Sequence, residues 1–254
     1  MRSISILNFK GGTGKSSLAE NLSYALALQG KSVLVIDADR QGNASTTLLR
    51  ERVTPTLTNV LKGEASLRQA IHQARDHLFV VASDSDLDTA SSHLSGKRAA
   101  YYTLQKALQP LTDFDYVLID HAGAYTPVME AALLASEEML IPCEMESYAV
   151  QGLFGMFAKL QDTLADHEIR NAGIIPYNVD LRYAMARQYL RELRETFGDL
   201  ITAPIRTDAL VPKAQSVQMT VLEYETTYSV KSRAAEDFRT LATDLIEETA
   251  GVQT

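Results

Sequence analysis

The stretch "ILNFKGGTGKSS", residues 6–17, limits the possible folds more than any other part of the chain. Apolar residues are followed at once by three glycines, Lys15 and two serines, and then by a helical pattern that continues to residue 29. Glycines let backbone N–H groups converge on an anion, and a helix that begins there adds its positive dipole end. The pattern therefore predicts a strand, a phosphate-binding loop and a helix over residues 15–29.

Two lysines occupy this loop, and their expected roles differ. Lys15 stands where a lysine reaches the β and γ phosphates of a nucleotide, and the next residue, Ser16, is expected to bind Mg²⁺ through its hydroxyl. Lys10 follows Phe9, which replaces the first glycine of the common G-x-x-x-x-G-K-[ST] pattern. Lys10 is either a solvated surface lysine or a second phosphate ligand. The expected nucleotide-binding residues of the loop are Gly11, Gly12, Thr13, Gly14, Lys15, Ser16 and Ser17.

Short apolar runs alternate with helical patterns along the chain. Strands are predicted at residues 3–9, 31–37, 77–83, 115–120, 138–143 and 171–178, and helices at 15–29, 97–109, 126–136, 148–166 and 182–197. This alternation is typical of a doubly wound α/β fold, with a mostly parallel sheet and helices on both faces. Residues 83–100 are predicted to be a polar loop leading into a helix. Because no linker or repeat is visible, we predict one domain over residues 1–254.

The composition is that of an ordinary globular protein. Of 254 residues, 46% are hydrophobic, and no apolar run approaches the ~20 residues of a membrane span. The single cysteine, Cys143, excludes an internal disulfide and suits a reducing cytoplasm, and the N-terminus lacks a signal-peptide pattern. The net charge of −8 argues against a surface coated for nucleic acid but permits a local basic patch.

Three aspartates lie at the ends of predicted strands. Asp37 ends "SVLVID", Asp39 comes two residues later, and Asp120 ends "DYVLID". At the carboxyl edge of a parallel sheet, such carboxylates can hold the Mg²⁺ shell of a bound nucleotide. Asp120 is expected to hold the metal, Asp37 to support the same shell through water, and Asp39 to orient the attacking water. Each could instead be a turn or capping residue, which aspartate favours.

The segments "KGGTGKSS", "DADRQGN" and "YVLID" together resemble the ParA/MinD family of deviant P-loop ATPases. The segments "QGNAST" and "IPCEMESYAVQGL" are more similar to the ParA branch than to the MinD branch. The resemblance implies ATP and Mg²⁺ as ligands, and an ATP-dependent homodimer in which Lys10 reaches the partner's phosphates. Lys10, Lys15 and Asp39 are then the expected catalytic residues of a slow ATPase that a partner protein stimulates.

The resemblance also places the adenine contacts in two later segments, "GIIPYNVD" and "APIRTDALVPKA". The first segment offers Asn178, and the second offers Thr207 and Asp208. The N-K-x-D motif of guanine-specific proteins is not evident, so ATP is the expected nucleotide.

Three positions depart from the family pattern. Arg206 and Arg40 stand where proline is usual, and His121 begins "HAGA" where the family has threonine or serine followed by two prolines. We expect His121 to be a local packing or hydrogen-bonding residue and not a metal ligand, since no second His or Cys lies near it in the sequence. The changes at Arg40 and His121 fall near the expected γ-phosphate.

Basic residues are frequent in the C-terminal third of the chain. Arg187, Arg191 and Arg194 share one helical face, at spacing i, i+4 and i+7. This face is either an ordinary solvated surface, balanced by Glu192 and Glu195, or a phosphate-contacting patch. ParA relatives bind DNA without sequence preference through basic residues in this region, and the resemblance therefore favours the patch. The expected DNA-contacting residues are Arg187, Arg191, Lys213, Lys231 and Arg233.

Three classes of function compete. The resemblance favours a ParA-type ATPase that positions or partitions a cargo over the nucleoid, with a ParB-like or adaptor protein as its stimulating partner. The cargo could be a plasmid, a chromosome origin or a protein assembly such as a carboxysome, and the expected location is the cytoplasm, in association with the nucleoid. The alternative is a MinD-like membrane- or scaffold-associated regulator. A metabolic P-loop enzyme of the dethiobiotin synthetase or nitrogenase-reductase type is the weaker third class. Cys143 alone cannot supply the two thiolates per subunit that a bridging iron–sulfur cluster requires.

The C-terminal tail bears on the membrane alternative. Residues 233–254, "RAAEDFRTLATDLIEETAGVQT", carry an apolar stripe of Ala235, Phe238, Leu241 and Leu245, but their polar face is acidic. A helix that binds a membrane surface is rich in Lys and Arg on that face. We therefore expect a final helix that packs on the core, and no membrane partner.

Overall fold

The computed structural model describes residues 1–96, 98–163 and 167–251. Within these residues, seven strands form one sheet in the order β3-β4-β2-β5-β1-β6-β7, and all neighbours are parallel except β3 and β4. This confirms the predicted mostly parallel sheet. The strands are β1 Arg2–Ile6, β2 Val33–Ala38, β3 Ile71–Arg75, β4 Leu78–Val81, β5 Tyr116–His121, β6 Glu138–Glu144 and β7 Arg170–Tyr177.

Helices cover both faces of the sheet. One face is packed by α1, α10 and α11, and the other by α3 to α8. In the described residues the helices are α1 Lys15–Leu28, α2 Asn43–Leu49, α3 Leu57–Lys62, α4 Leu87–Leu94, α5 Thr103–Leu108, α6 Pro127–Leu134, α7 Ala149–Thr163, α8 Ala184–Phe197, α9 Leu210–Ser216, α10 Val221–Tyr228 and α11 Arg233–Gly251.

The central strands are buried on both sides, and this explains their unbroken apolar runs. In β2, Val33 and Val35 join the core under α1, whereas Leu34 and Ile36 join the core under α3 and α6. Successive side chains of a strand point to opposite faces, so a strand between two helical layers needs apolar residues at every position. The helix layers thus hold the carboxyl ends of β1, β2 and β5 at one edge of the sheet.

The final helix packs on the core, as predicted. Ala235, Phe238, Leu241 and Leu245 of α11 are at most 5% exposed, and they contact the cluster that surrounds α1. Among the described residues, no helix combines the length and the apolar composition that a membrane span requires.

Two predicted elements are wrong in part. The helix predicted at residues 97–109 is a 3-10 turn over Arg98–Tyr102 followed by α5, and Lys97 lies outside the described residues. The segment predicted as a polar loop contains α4, whose Leu87, Ala90 and Leu94 are buried against the core. Serines and aspartates are frequent in this segment, so its composition predicts a loop. The helical spacing of Leu87, Ala90 and Leu94, at i, i+3 and i+7, is a weaker signal in the sequence. The last three residues of the helix predicted at 148–166 also lie outside the described residues.

One strand, β3, was not predicted. It pairs with β4 as the antiparallel edge of the sheet, with Ile71 opposite Val81. Its sequence "IHQAR" has no clear alternation, and none of its five residues is fully buried. Such an edge strand is defined by pairing with its neighbour, so its own apolar pattern is weak.

Arg2 fastens the last helix to the start of the sheet. Its guanidinium donates to both Glu138 carboxylate oxygens, at 2.9 and 2.6 Å, and also to the Leu245 carbonyl at 2.8 Å and to Thr249 Oγ1 at 2.9 Å. The side chains of Arg2 and Glu138 are only 12% and 8% exposed. The pKa of Glu138 is lowered because the hydrogen bonds and charges of Arg2 and Arg170 outweigh the effect of burial.

We expect Arg2→Ala to lower the free energy of unfolding by about 2–4 kcal/mol, because it leaves a buried carboxylate and the end of α11 without their main donor. Chemical denaturation with a constant slope measures the change. Arg68→Ala is the matched control, since the pair of Arg68 with Asp113 is more than half exposed on both sides and should contribute little. Equal stability of the two variants would contradict the role given to Arg2.

Candidate functional site

The loop between β1 and α1 has the backbone conformation of an anion-binding turn. Gly12 and Gly14 have φ values of +79° and +87°, which side-chain-bearing residues rarely adopt. Asn8 holds the start of the loop, because its Oδ1 accepts from Lys10 N at 2.9 Å and its Nδ2 donates to the Pro142 carbonyl at 2.9 Å. The loop is thereby fixed to β6 before the first turn of α1 begins.

Tyr177, at the end of β7, lies directly against this loop. A Cβ atom on Gly14 would fall 2.3 Å from the Tyr177 ring, so glycine is required there for space as well as for its dihedral angles. The Tyr177 hydroxyl donates to Ser17 Oγ at 2.7 Å. Burial raises the pKa of this hydroxyl, so it stays protonated and remains a donor. The sequence analysis did not identify Tyr177, because its partner is 160 residues away.

Lys15 is buried, and no carboxylate of the described residues is in hydrogen-bond contact with it. It is 7% exposed, and its Nζ donates to the Lys10 carbonyl at 2.9 Å. Burial lowers the pKa of Lys15, although the charges of Asp120 and Asp39 oppose this effect. An ammonium in this position is well suited to an anionic ligand, because the ligand would supply the charge that the protein does not.

Asp37 and Asp120 are direct neighbours in the sheet, as β2 and β5 pair in register at these residues. Both are fully buried. Asp37 Oδ2 accepts from the Ser45 backbone N–H at 2.8 Å and from Ser45 Oγ at 2.6 Å, and Asp37 Oδ1 accepts from Asp39 N at 3.1 Å. Within the described part of the chain, neither Asp120 oxygen has a hydrogen bond of ordinary distance and angle, although the Ser16 hydroxyl lies near the carboxylate. Sequence reasoning found both aspartates but not Ser45, which anchors the start of α2 to Asp37.

The two carboxylates fit a divalent cation. Burial raises the pKa of Asp37 to about 6, and burial together with the Asp37 charge also raises the pKa of Asp120, an effect that the nearby Ser16 hydroxyl opposes. Mg²⁺ binds carboxylate oxygens that hydrogen-bond donors do not already occupy. A bound cation would also offset the electrostatic repulsion between Asp37 and Asp120. Ser16, Asp37 and Asp120, the predicted metal residues, therefore lie in one region of the site.

Asp39 follows β2 and is partly exposed. Its Oδ1 accepts from the Gln41 backbone N–H at 2.9 Å, and the side chain lines the same cleft as the glycine loop. The carboxylate is therefore held in place by its own turn but remains accessible to solvent. This is the position expected for a group that contacts a water molecule in the cleft.

His121 and Gly123 follow Asp120 and contact neighbouring parts of the site. His121 is fully buried, and its Nε2 hydrogen-bonds Ser5 Oγ at 2.7 Å, which confirms its expected role as a local hydrogen-bonding residue. Burial and then the Lys15 charge lower the pKa of His121 to about 3, so the ring is neutral. A Cβ atom on Gly123 would lie 3.2 Å from Gly11 N and Cα, so the loop after β5 touches the glycine loop.

A cleft of about 760 Å³ opens above these groups. Asn178, Thr207 and Asp208, the predicted adenine contacts, all line it. Thr207 Oγ1 donates to the Asn178 carbonyl at 2.9 Å, so the two segments are joined. The Asp208 carboxylate also accepts from Ser232 Oγ and from Arg233 N, both at 2.8 Å, and so caps α11. The cleft wall further includes Glu20, Thr47 and Gln215, which the sequence analysis did not single out.

Lys10 is exposed at the rim of the site. Its Nζ lies 2.6 Å from Glu146 Oε2 and 3.7 Å from Glu144 Oε2. The hydrogen bond with Glu146 raises the pKa of Lys10. In the single chain, this ammonium is therefore paired at the end of β6 and not directed into its own cleft.

The five basic residues expected to contact DNA are all exposed and occupy two regions. Arg187 and Arg191 lie on α8, whereas Lys213 lies on α9 and Lys231 and Arg233 flank the start of α11. Arg187 Nη1 donates to the Leu181 and Arg182 carbonyls at 2.6 and 3.0 Å. Arg206, at the position where the family has proline, pairs with Asp237 and Glu236 of α11.

Comparison with known proteins agrees with this geometry. The family model described as an AAA domain matches residues 1–172. The chromosome partitioning protein ParA of Caulobacter vibrioides is 31% identical over 255 residues, which cover 97% of this chain and 94% of that protein.

Two solved structures are similar in fold. Cobyrinic acid a,c-diamide synthase from Mycobacterium smegmatis, with bound ADP and magnesium, superposes with a TM-score of 0.83 at 22% identity, covering 98% of this chain and 96% of that one. The septum site-determining protein MinD of Pyrococcus horikoshii, complexed with Mg-ADP, has a TM-score of 0.79 at 25% identity, covering 100% and 98%. Since the family model and the partitioning relative both extend over most of its length, this chain belongs to the ParA/MinD family of P-loop ATPases.

Proposed function

We propose that this chain is a single P-loop ATPase domain over residues 1–254, which binds ATP with Mg²⁺, dimerises and positions a cargo over the nucleoid. One observation supports this proposal most directly. Among the described residues, a buried lysine that contacts no carboxylate, Lys15, and a buried aspartate that lacks a well-formed hydrogen bond, Asp120, lie at the same edge of the sheet. An ATP–Mg²⁺ complex supplies the two missing partners, because its phosphates are anionic and its metal is a cation.

The loop residues have distinct roles in this proposal. Backbone N–H groups from Gly11 to Ser17 surround the phosphates, and Lys15 neutralises them. Ser16 and Asp120 would hold Mg²⁺, and Asp37 would support its water shell. Held by these residues, Mg²⁺ would supply positive charge next to the phosphate oxygens. The fold neighbours that hold ADP with magnesium support this choice of ligands.

Asp39 is proposed to orient the attacking water. Its carboxylate is held by the Gln41 N–H, lines the cleft and is partly exposed, so one oxygen can accept a hydrogen bond from water. Asn178, Thr207 and Asp208 are proposed to contact the adenine end of the nucleotide, with the Asp208 carboxylate partly engaged in capping α11.

ATP is proposed to drive dimerisation through Lys10. The Lys10 ammonium must leave Glu146 to reach the partner's phosphates. Because both side chains are exposed, breaking this ion pair costs little free energy. Without a nucleotide, the lysines of two facing sites repel each other. Hydrolysis would remove the shared anion and release the dimer, so the cycle acts as a switch whose slow rate a partner protein raises.

DNA without sequence preference and a ParB-like or adaptor protein are the proposed partners. The partitioning function named for the C. vibrioides relative supports the first. The MinD-like alternative is supported by the fold neighbour from P. horikoshii. The apolar stripe that a membrane-binding C-terminal helix would use is, however, buried against α1 in this chain. We therefore favour the nucleoid over the membrane as the surface on which the protein acts.

Lys15→Ala and Asp39→Ala should separate binding from hydrolysis. We expect Lys15→Ala to weaken ATP binding by about 100-fold or more, because each lost charge-assisted contact is worth about 1.5–3 kcal/mol. Asp39→Ala should bind ATP normally and slow phosphate release by about 10²–10⁴-fold. Fluorescent-nucleotide titration and phosphate release measure the two effects, with Lys106→Ala and Asp199→Ala as exposed controls. Normal hydrolysis by Asp39→Ala would remove that residue from the mechanism.

Lys10→Ala should prevent dimerisation while Lys15 still holds ATP. In an Asp39→Ala background, size exclusion with light scattering should show a monomer without nucleotide and a dimer with ATP, and the added Lys10→Ala change should leave a monomer in both. Glu146→Gln is the matched control, because it removes the charge that Lys10 pairs with most closely in the single chain and should preserve the dimer. A dimer of the same size in every sample, with or without ATP, would contradict the role of Lys10.

The ATP-bound dimer should bind duplex DNA of any sequence, and the ADP form should not. Two basic clusters held in one dimer act at high effective concentration, so affinity should rise far more than twofold and fall steeply with salt. Alanine at Arg187, Arg191, Lys213, Lys231 and Arg233 should weaken binding without affecting dimerisation. Fluorescence anisotropy with two unrelated duplexes across a salt series is the measurement, and Arg68→Ala is the control. If neither duplex shows salt-sensitive binding, the nucleoid function fails.

A further inference from the structure

Glu20 is a buried carboxyl group for which the roles proposed above provide no function. It lies on α1 and is 1% exposed, although glutamate is seldom buried without a partner. Among the described residues its Oε1 has no hydrogen-bond partner of ordinary geometry, and its Oε2 accepts a long 3.4 Å contact from Gln215 Nε2, while the Thr47 hydroxyl is a second donor near the carboxyl. An unsatisfied carboxyl oxygen in the interior is costly, and such a group is retained where a ligand completes its hydrogen bonds.

Glu20 lies in the wall of the nucleotide cleft. Glu20 comes three and four residues after Ser17 and Ser16, so it lies on the same face of α1, one turn further from the phosphate-binding end. It lines the cleft together with Thr47 of α2 and Gln215 of α9. The α9 helix directly follows Thr207 and Asp208 in the chain, so Glu20 connects the phosphate-binding helix with the segment proposed to hold adenine.

The protonation and hydrogen bonding of the Glu20 carboxyl group indicate which part of ATP it contacts. Burial raises the pKa of Glu20 to about 8, so near neutral pH the group is largely uncharged and does not repel phosphates. A neutral carboxyl has one O–H donor and one acceptor oxygen. The acceptor oxygen needs a donor, which the ribose hydroxyls of ATP supply and phosphate oxygens do not. Ribose lies between the triphosphate and the base, as Glu20 lies between the residues proposed for those two ends. The 6-amino group of adenine is the other donor of the nucleoside, and it belongs at the far end.

We propose that Glu20 is a specificity residue whose carboxyl oxygen accepts a hydrogen bond from a ribose hydroxyl of the bound nucleotide. Gln215 and Thr47 hold the carboxyl, whose Oε1 is closed to a water-sized group in this structure. A small rotation of the side chain toward the cleft would bring Oε1 to the ribose hydroxyl. This inference rests on the proposed binding of ATP in the same cleft. It extends that proposal by predicting that the protein distinguishes ribonucleotides from deoxyribonucleotides.

The experiment measures the affinity of the purified protein for ATP, 2′-deoxy-ATP, 3′-deoxy-ATP and the triphosphate of purine riboside, which lacks the 6-amino group. The wild-type protein should bind ATP about 10-fold more tightly than at least one deoxy analogue, because the analogue leaves a buried acceptor unpaired. Glu20→Leu should lose this preference, whereas Glu20→Gln, which keeps an acceptor oxygen, should retain most of it. Ser23→Ala is the matched control, since Ser23 is a buried polar residue of the same helix outside the cleft lining.

Several results would overturn the inference. Equal wild-type affinity for ATP and both deoxy analogues would refute it without any variant, even if Glu20→Leu failed to fold. An unchanged preference in Glu20→Leu would assign ribose recognition to other groups. If Glu20→Leu changed the affinity for ATP relative to the purine riboside triphosphate, but not relative to the deoxy analogues, Glu20 would lie at the base and not at the ribose. If the wild-type protein bound no ATP at all, the proposed function would fail as well, and this outcome differs from ATP binding without discrimination.

Discussion

Two buried aspartates, side by side on parallel strands, are the constraint on which the rest of this molecule depends. Asp37 and Asp120 pair in register across β2 and β5, and both are without solvent exposure. Burying carboxyl groups next to each other costs free energy, and the raised pKa of each group reflects that cost. A ligand that binds only the folded protein recovers part of it, by about 2.7 kcal/mol at a concentration 100-fold above its Kd. The site is thus a source of instability that a bound cation and anion relieve together.

The loops at this edge of the sheet are mechanically joined to the two aspartates. Ser45 binds Asp37 and also accepts from Ser83 N at 2.9 Å, so the start of α2 and the loop after β4 meet at the same carboxylate. The loop after β5 touches the glycine loop through Gly123 and Gly11. A change in the ligand at the centre would therefore affect three loops at once, as the proposed nucleotide-dependent switch requires.

Asp208 links the cleft to the region proposed to bind DNA. The same side chain lines the cleft, accepts from Leu210 N at the start of α9 and caps α11 at Arg233. Lys213 and Arg233 thus lie on helices that are held by one carboxylate in the nucleotide cleft. Under the proposed function, this is a short physical path between the nucleotide and two of the basic residues.

The sequence alone determined the parallel strands of the sheet and the centre of the site. Runs such as "SVLVID" and "DYVLID" are apolar at every position because both faces of these strands are covered, and the glycine loop needs backbone angles that its own residues encode. These signals are local, so the strands, the loop and the three aspartates could be predicted. Only the tertiary structure decided the edge strand β3, the helix α4 within a polar segment, and the places of Tyr177, Ser45 and Glu20. Tyr177 meets Ser17 across 160 residues, and Glu20 meets Gln215 across 195. Such contacts depend on how distant elements pack, and no local pattern records them.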